Sequence, residues 1–174
     1  IPMDNLLSRV TDERIEDHIQ WAIDANFNTL RIWGGGYYPE DKFYDLCDEK
    51  GIMVWEDFMV ACANIWFTDE MKEEFTAEAI DNLNRLNHHP SLAILCGNNE
   101  MEMFMGNAKD GLVHGNNAFN PKNHRHVTDY VKMFEYILPR IVRQHAPDTF
   151  WWPASPSSGG DFDAPNDYNR GDVH

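Results

Sequence analysis

The feature that most constrains this chain is an alternation. Four short apolar runs, NTLRIW (28–33), GIMVWEDF (51–58), SLAILCG (91–97) and TFWWPAS (149–155), each follow a helical pattern after a short turn. Before the first run, Thr11 supplies a cap, Asp12 and Glu13 supply first-turn acids, and Ile15, Ile19, Ala22 and Ile23 recur at helical spacing. Pro39-Glu40-Asp41 opens a second helix, which Gly51 stops. A third spans Asp69 to about Leu86 on a stripe of Met71, Phe75, Ala79, Leu83 and Leu86, and a fourth covers roughly 127–145 with a kink at Pro139. The apolar runs have strand length and no clean polar alternation, which predicts parallel strands buried on both faces. The order αβαβαβαβ therefore predicts an α/β fold.

Polar residues cluster where such runs end. Arg31 and Trp33 sit late in the first, Glu56 and Asp57 end the second, Asn99 and Glu100 follow the third, and Trp152 and Ser155 lie late in the fourth. In barrels and doubly wound sheets, function collects at the carboxyl ends of parallel strands. Glu100 has a bland reading too: Asn98 or Asn99 caps a helix and Glu100 and Glu102 favour its first turn. The neighbouring polar strand ends tip the balance toward a general acid able to protonate a leaving oxygen. Arg31 reads as a support that holds the carboxylates by charge-assisted bonds. Trp55 and Trp151 read as core, whereas Trp33, ahead of three glycines, reads as an exposed platform on which an apolar sugar face can stack.

Other signals are weaker. Gly34-Gly35-Gly36 lacks the third glycine of a dinucleotide fingerprint and a Walker lysine, so it reads as a close approach of backbone to a ligand or adjacent strand. His124 and His126 lie in a polar segment with no ligand carboxylate, and no metal or other cofactor is expected. Cys47, Cys62 and Cys96 fit neither a disulfide framework nor a zinc knuckle and read as buried thiols. Segment 105–126 is long and polar and reads as a loop shaping ligand entry. Asp and Glu outnumber Lys and Arg by 29 to 14, an acidic balance that disfavours nucleic acid and anionic membranes as partners. No apolar run is long enough to span a bilayer. The start, IPMDNLLSRV, is no signal peptide; it reads as the interior of a longer chain and leaves the compartment open.

NTLRIWGGGYYPEDKFYDLCDEKGIMVWEDFM, HHPSLAILCGNNEMEMF, WWPASPSSGGD and GDVH, taken together and in order, resemble the β-mannosidases of glycoside hydrolase family 2. The resemblance runs along nearly the whole chain. It implies that residues 1–174 form part of a catalytic domain, an incomplete (β/α)8 TIM barrel holding roughly strands 2 to 6 with their helices. The four apolar runs become strands two to five, and DVH belongs to the sixth.

The resemblance also implies a retaining mechanism on a carbohydrate substrate, a β-mannoside. Glu100 matches the acid/base, Asn99 the residue that contacts the sugar 2-hydroxyl, and Trp33 an active-site tryptophan. Asp57 and Trp152 fall where strand-end residues border the sugar pocket. The second glutamate, the nucleophile, is expected on a later strand, and Glu102 cannot replace it because it points elsewhere on a helix. The chain alone is therefore expected not to turn over a glycoside, and to self-associate through open barrel edges. Alternatives are another family 2 exo-glycosidase (β-galactosidase or β-glucuronidase), a metal-dependent hydrolase on the same barrel, and a non-catalytic carbohydrate-binding or structural piece.

Overall fold

Two helices start on a threonine used as a cap. Thr11 Oγ1 accepts from Arg14 N at 3.3 Å ahead of α1 (Asp12–Asp24), and Thr68 Oγ1 accepts from Met71 N at 3.2 Å ahead of α3 (Asp69–Leu86). Each satisfies a donor that a first helical turn leaves free. Between them, α2 (Asp41–Lys50) follows Pro39-Glu40 and stops at Gly51, whose φ of 72° is the left-handed conformation favoured by glycine. The computed structural model describes residues 3–4, 6–63, 66–107 and 124–173.

The apolar runs form β1 (Thr29–Ile32), β2 (Met53–Asp57), β3 (Leu92–Cys96) and β4 (Phe150–Trp152). They make one parallel sheet in sequence order, β1-β2-β3-β4. The alternation of helix and strand read from the sequence is thus the fold class observed, a mixed α/β structure.

Register then sorts the side chains. Arg31 pairs with Trp55, Asp57 with Cys96, and Cys96 with Trp152. Because successive side chains point to opposite faces, Arg31, Trp55, Asp57, Cys96 and Trp152 share one face, and Val54, Glu56, Leu95 and Trp151 share the other. The second face meets the helices. Val54 and Leu95 are fully buried, Tyr44 of α2 donates to Glu56 at 2.8 Å, and Phe58 packs on Phe75 of α3. Phe67, Phe75 and Phe134 interlock above it with ring centroids 5.8–6.3 Å apart. The first face stays partly open: Met53 and Phe150 are exposed and Arg31, Trp55 and Trp152 half-buried. Burial on both faces, expected from the apolar runs, is therefore realised on one, where helices supply the cover.

The chain after β3 departs from the order of elements expected. A short helix, α4 (Met101–Asn107), follows directly on Glu100. The fourth helical pattern begins earlier than residue 127, as α5 (His124–Tyr130), widens into a π-helical turn (Val131–Ile137), and continues as α6 (Leu138–His145). Its irregularity precedes Pro139 because the proline ring crowds the carbonyl four residues back, and a widened turn there relieves the clash. Of the expected strand at DVH, the described residues Asp172 and Val173 join no strand of this sheet; Asp172 makes an isolated antiparallel bridge with Ser157, and residue 174 lies outside the described residues. Of the expected entry loop 105–126, residues 108–123 lie outside the described residues. Among the described residues no helix is long and apolar enough to cross a membrane.

Candidate active site

At the carboxyl ends of β1, β2 and β3, charge is gathered on one face. Asp57 is fully buried, yet four donor atoms aim at its carboxylate. Arg31 Nη2 lies 2.8 Å from Oδ2 and Arg31 Nε 3.1 Å from Oδ1, a forked geometry that only guanidinium provides. The Gly34 N–H donates at 3.1 Å and the Trp55 indole N–H at 2.9 Å. Arg31 also stands over the Trp55 ring, 5.3 Å from its centroid. Trp55, read as core, is thus half-buried and serves as a second support for Asp57.

The same guanidinium reaches the third strand. Arg31 Nη2 donates to Asn99 Oδ1 at 2.9 Å. With its oxygen fixed in this way, Asn99 turns its amide N–H toward Cys62 Sγ, 3.3 Å away. The Cys62 thiol in turn donates to Glu100 Oε2 at 3.2 Å. Arg31, Asp57, Asn99 and Glu100, four residues singled out from the sequence, are therefore joined in one chain of hydrogen bonds. The link to Glu100 is a cysteine expected to be a buried thiol; Cys47 and Cys96 are buried, but Cys62 is exposed.

Glu100 sits at the hinge from β3 to α4. Its N–H donates to Ser155 O at 2.8 Å, and its φ of 64° is left-handed, a conformation that a glutamate rarely adopts. Such outliers persist where surrounding structure imposes them and gather at functional sites. The helix cap is Asn98: its Oδ1 accepts from Met101 N at 3.1 Å while its amide N–H groups bind Tyr130 Oη and Pro153 O, both at 3.2 Å. Capping and candidate chemistry are divided between adjacent residues.

Trp33 and Trp152 stand apart from this chain. The Trp33 indole lies over Gly35, where a side chain would collide with the ring. With Arg31, Leu30, Phe27 and His18 it borders a groove of about 940 Å³ that does not include Glu100. A Cβ on Gly34 would come within 2.6 Å of Phe58 O, so at Gly34 the backbone approaches the neighbouring chain closely, one of the two readings offered for the triplet. The Trp152 indole N–H donates to Asp172 Oδ1 at 2.7 Å, and Asp172 also accepts from Ser155 Oγ and the Ser157 N–H. Asp172 thus organises the β4 end of the site. Nothing in the local pattern GDVH marked it.

Glu56, grouped with Asp57 in the sequence, faces the helices instead. Burial pushes its carboxyl well above the usual range. His126 packs edge-on against Trp66 at 4.7 Å, and the side chain of His124 lies outside the described residues. Among the described residues a carboxylate-histidine group, Asp45, Asp48 and His89, stands at the opposite end of the sheet, at the start of β3. There Asp48 is already engaged by the Ser91 N–H and by His89 Nδ1, each within 2.8 Å.

Glu102 is fully buried two residues after Glu100. Burial, joined by the negative charges of Glu135 and Asp172 against the opposing pull of Ser157 and the Phe162 backbone, pushes its carboxyl up to about 7. A folded-state pKa above the unfolded one means that Glu102 favours folding while protonated. That contribution is complete below about pH 4 and is lost as pH rises through about 7. The expected size is roughly 3 kcal/mol. Glu102→Gln is therefore expected to raise the melting temperature by several degrees at about pH 8 and to change it little at about pH 4. Thermal unfolding of both proteins at the two pH values checks this, and an equal effect at both would contradict it.

Fold and site together define an α/β protein whose polar residues gather at the carboxyl ends of adjacent parallel strands. Within that class the chain is similar to β-mannosidases along its whole length. It is 39% identical over 176 aligned residues to β-mannosidase B of Aspergillus terreus, covering 100% of this chain and 20% of that protein. The β-D-mannosidase of Dictyoglomus thermophilum superposes with a TM-score of 0.81 at 33% identity, again over 100% of this chain and 20% of the other. β-Glucuronidase 3 of Bacteroides uniformis, 18% identical with a TM-score of 0.56 over 82% of this chain and 16% of its own, shares the fold alone. No family model matches the chain. The chain spans about a fifth of the length of the curated relatives it matches.

Proposed function

We propose that the chain is the acid/base-bearing part of a retaining β-mannosidase, its sheet being strands two to five of a (β/α)8 barrel. Glu100 protonates the departing glycosidic oxygen, then removes a proton from the water that releases the glycosyl-enzyme. Asn99 meets the sugar 2-hydroxyl, and Trp33, Asp57 and Trp152 border the sugar pocket. The observation that supports this reading best is the continuous chain Asp57–Arg31–Asn99–Cys62–Glu100 at the carboxyl ends of three adjacent strands. In the barrel, the half-open sheet face that carries these groups becomes the lumen, with the helices outside.

A retaining glycosidase needs a second carboxyl about 5–5.5 Å from the first. Glu102 is buried toward Ser157 and Tyr130 and does not supply it. The nucleophile is assigned to a part of the longer enzyme outside these residues. The deciding experiment is steady-state hydrolysis of aryl β-mannoside, β-galactoside and β-glucuronide by the full-length parent. The mannoside is expected to be cleaved with the highest kcat/KM. Preference for either other sugar would move the reading to another exo-glycosidase, and no hydrolysis of any would leave a non-catalytic role.

The 174-residue chain alone is expected to cleave none of them. Its exposed Trp21, Phe27, Met53 and Phe150, at 46–60% exposure, give it a reason to associate. Light scattering at micromolar concentration is expected to give a mass above the 20.2 kDa of one chain. A stable monomer would contradict this.

A further inference from the structure

Cys62 lies in the connection from β2 to α3, in a stretch, ACAN, that carries no recognisable motif. Its place is set by backbone before side chain. Asn99 N donates to Val60 O at 3.1 Å and Cys62 N to Asn99 O at 3.0 Å, so Ala61 bridges to Asn99 as a short parallel extension of β2 and β3. That extension brings the thiol beside Glu100. Both residues have left-handed backbones, φ 53° at Cys62 and 64° at Glu100. Two such outliers joined side chain to side chain signal a geometry that the fold enforces rather than a chance contact.

The thiol has two partners, and each fixes a different property. It accepts the Asn99 amide N–H, which leaves the Asn99 oxygen for Arg31 and sets the orientation of the amide. It donates to one oxygen of Glu100, Oε2. The opposite arrangement, a thiolate beside a carboxylate, would set two negative charges against each other. Although the residue is exposed, partial desolvation of the sulfur raises the thiol's pKa, and the hydrogen bond to Glu100 and its charge raise it further against the opposing pull of the Asn99 amide, so sulfur stays protonated near neutrality and serves as a donor rather than a nucleophile.

We infer that Cys62 is a positioning residue for the acid/base: its S–H holds Glu100 Oε2 and leaves the other carboxyl oxygen for the glycosidic oxygen. This rests on the reading of Glu100 as acid/base. A thiol suits the task because it is a weak donor. It orients a carboxyl that must gain and lose a proton in each turnover without binding one of its two forms tightly.

The test uses the full-length parent in two arms. In the kinetic arm, Cys62→Ala is expected to lower kcat on an aryl β-mannoside with a poor leaving group about tenfold, with KM little changed. Cys62→Ser, which keeps a donor, recovers most of the lost kcat. In the chemical arm, iodoacetamide labelling of Cys62 is followed by peptide mapping. Glu100→Gln removes the charge that opposes thiolate formation, so Cys62 is expected to label several-fold faster than in wild type at the same neutral pH. Cys47 and Cys96, being buried, serve as internal references.

An active parent whose Cys62→Ala variant keeps its kcat overturns the inference while the acid/base reading stands. Equal labelling in wild type and Glu100→Gln overturns it as well. A parent that cleaves no glycoside removes the acid/base reading and this inference with it, whatever the labelling shows.

Discussion

Glu100→Ala in the full-length parent is expected to lower kcat on a poor-leaving-group aryl β-mannoside by about a hundredfold to ten-thousandfold, the usual contribution of a general acid. With an activated leaving group, which needs little protonation, glycosylation is expected to survive and deglycosylation to become limiting. Azide, which attacks without general-base help, then restores turnover and yields the glycosyl azide. The leaving-group dependence is the informative part: a variant that merely misfolds loses both substrates alike. Stability should change little, because Asn98 rather than Glu100 caps α4 and the Glu100 side chain is half-buried. Glu100→Gln keeps the shape and tests the proton alone. Steady-state kinetics on the two substrates, with and without azide, decide the matter; an indifferent Glu100→Ala would return this residue to an ordinary first helical turn.

How far the site could be read from sequence depended on the range of each signal. The order of elements, the Thr11 cap and the stop at Gly51 are local and were legible. So was the pairing of Arg31 with a strand-end carboxylate, since an arginine among apolar residues needs a charged partner. Period two assigns Asp57 to the face that Arg31 occupies and Glu56 to the other. The apolar run GIMVWEDF obscured that division, because no alternation marked which face was inward. The roles of Cys62 and Asp172 were not legible. Each acts through one long-range contact, Cys62 on Glu100 and Asp172 on Ser155 and Trp152, set by chain connections with no period. The π-helical turn was half legible: Pro139 announces a defect, but only packing decides which turn absorbs it.

Asp57→Ala is the substitution expected to cost the fold most. The carboxylate is fully buried and holds Arg31, the Gly34 N–H and the Trp55 indole together. Removing it strands those donors in a space from which water is largely excluded. Breaking a buried ion pair from one side typically costs about 3–5 kcal/mol. Arg31 retains 28% exposure and its bond to Asn99, so the lower end of that range is expected. Asp57→Asn fills the space but turns an amide N–H₂ toward existing donors, and an intermediate loss should follow. Urea denaturation of the three proteins measures both. The double variant Arg31→Ala/Asp57→Ala separates pairing from packing, since its loss should fall short of the sum of the two single losses. Additive losses would show that the two side chains support the sheet independently. The hydrogen-bonded chain from Asp57 to Glu100 would then be geometric proximity rather than a coupled unit.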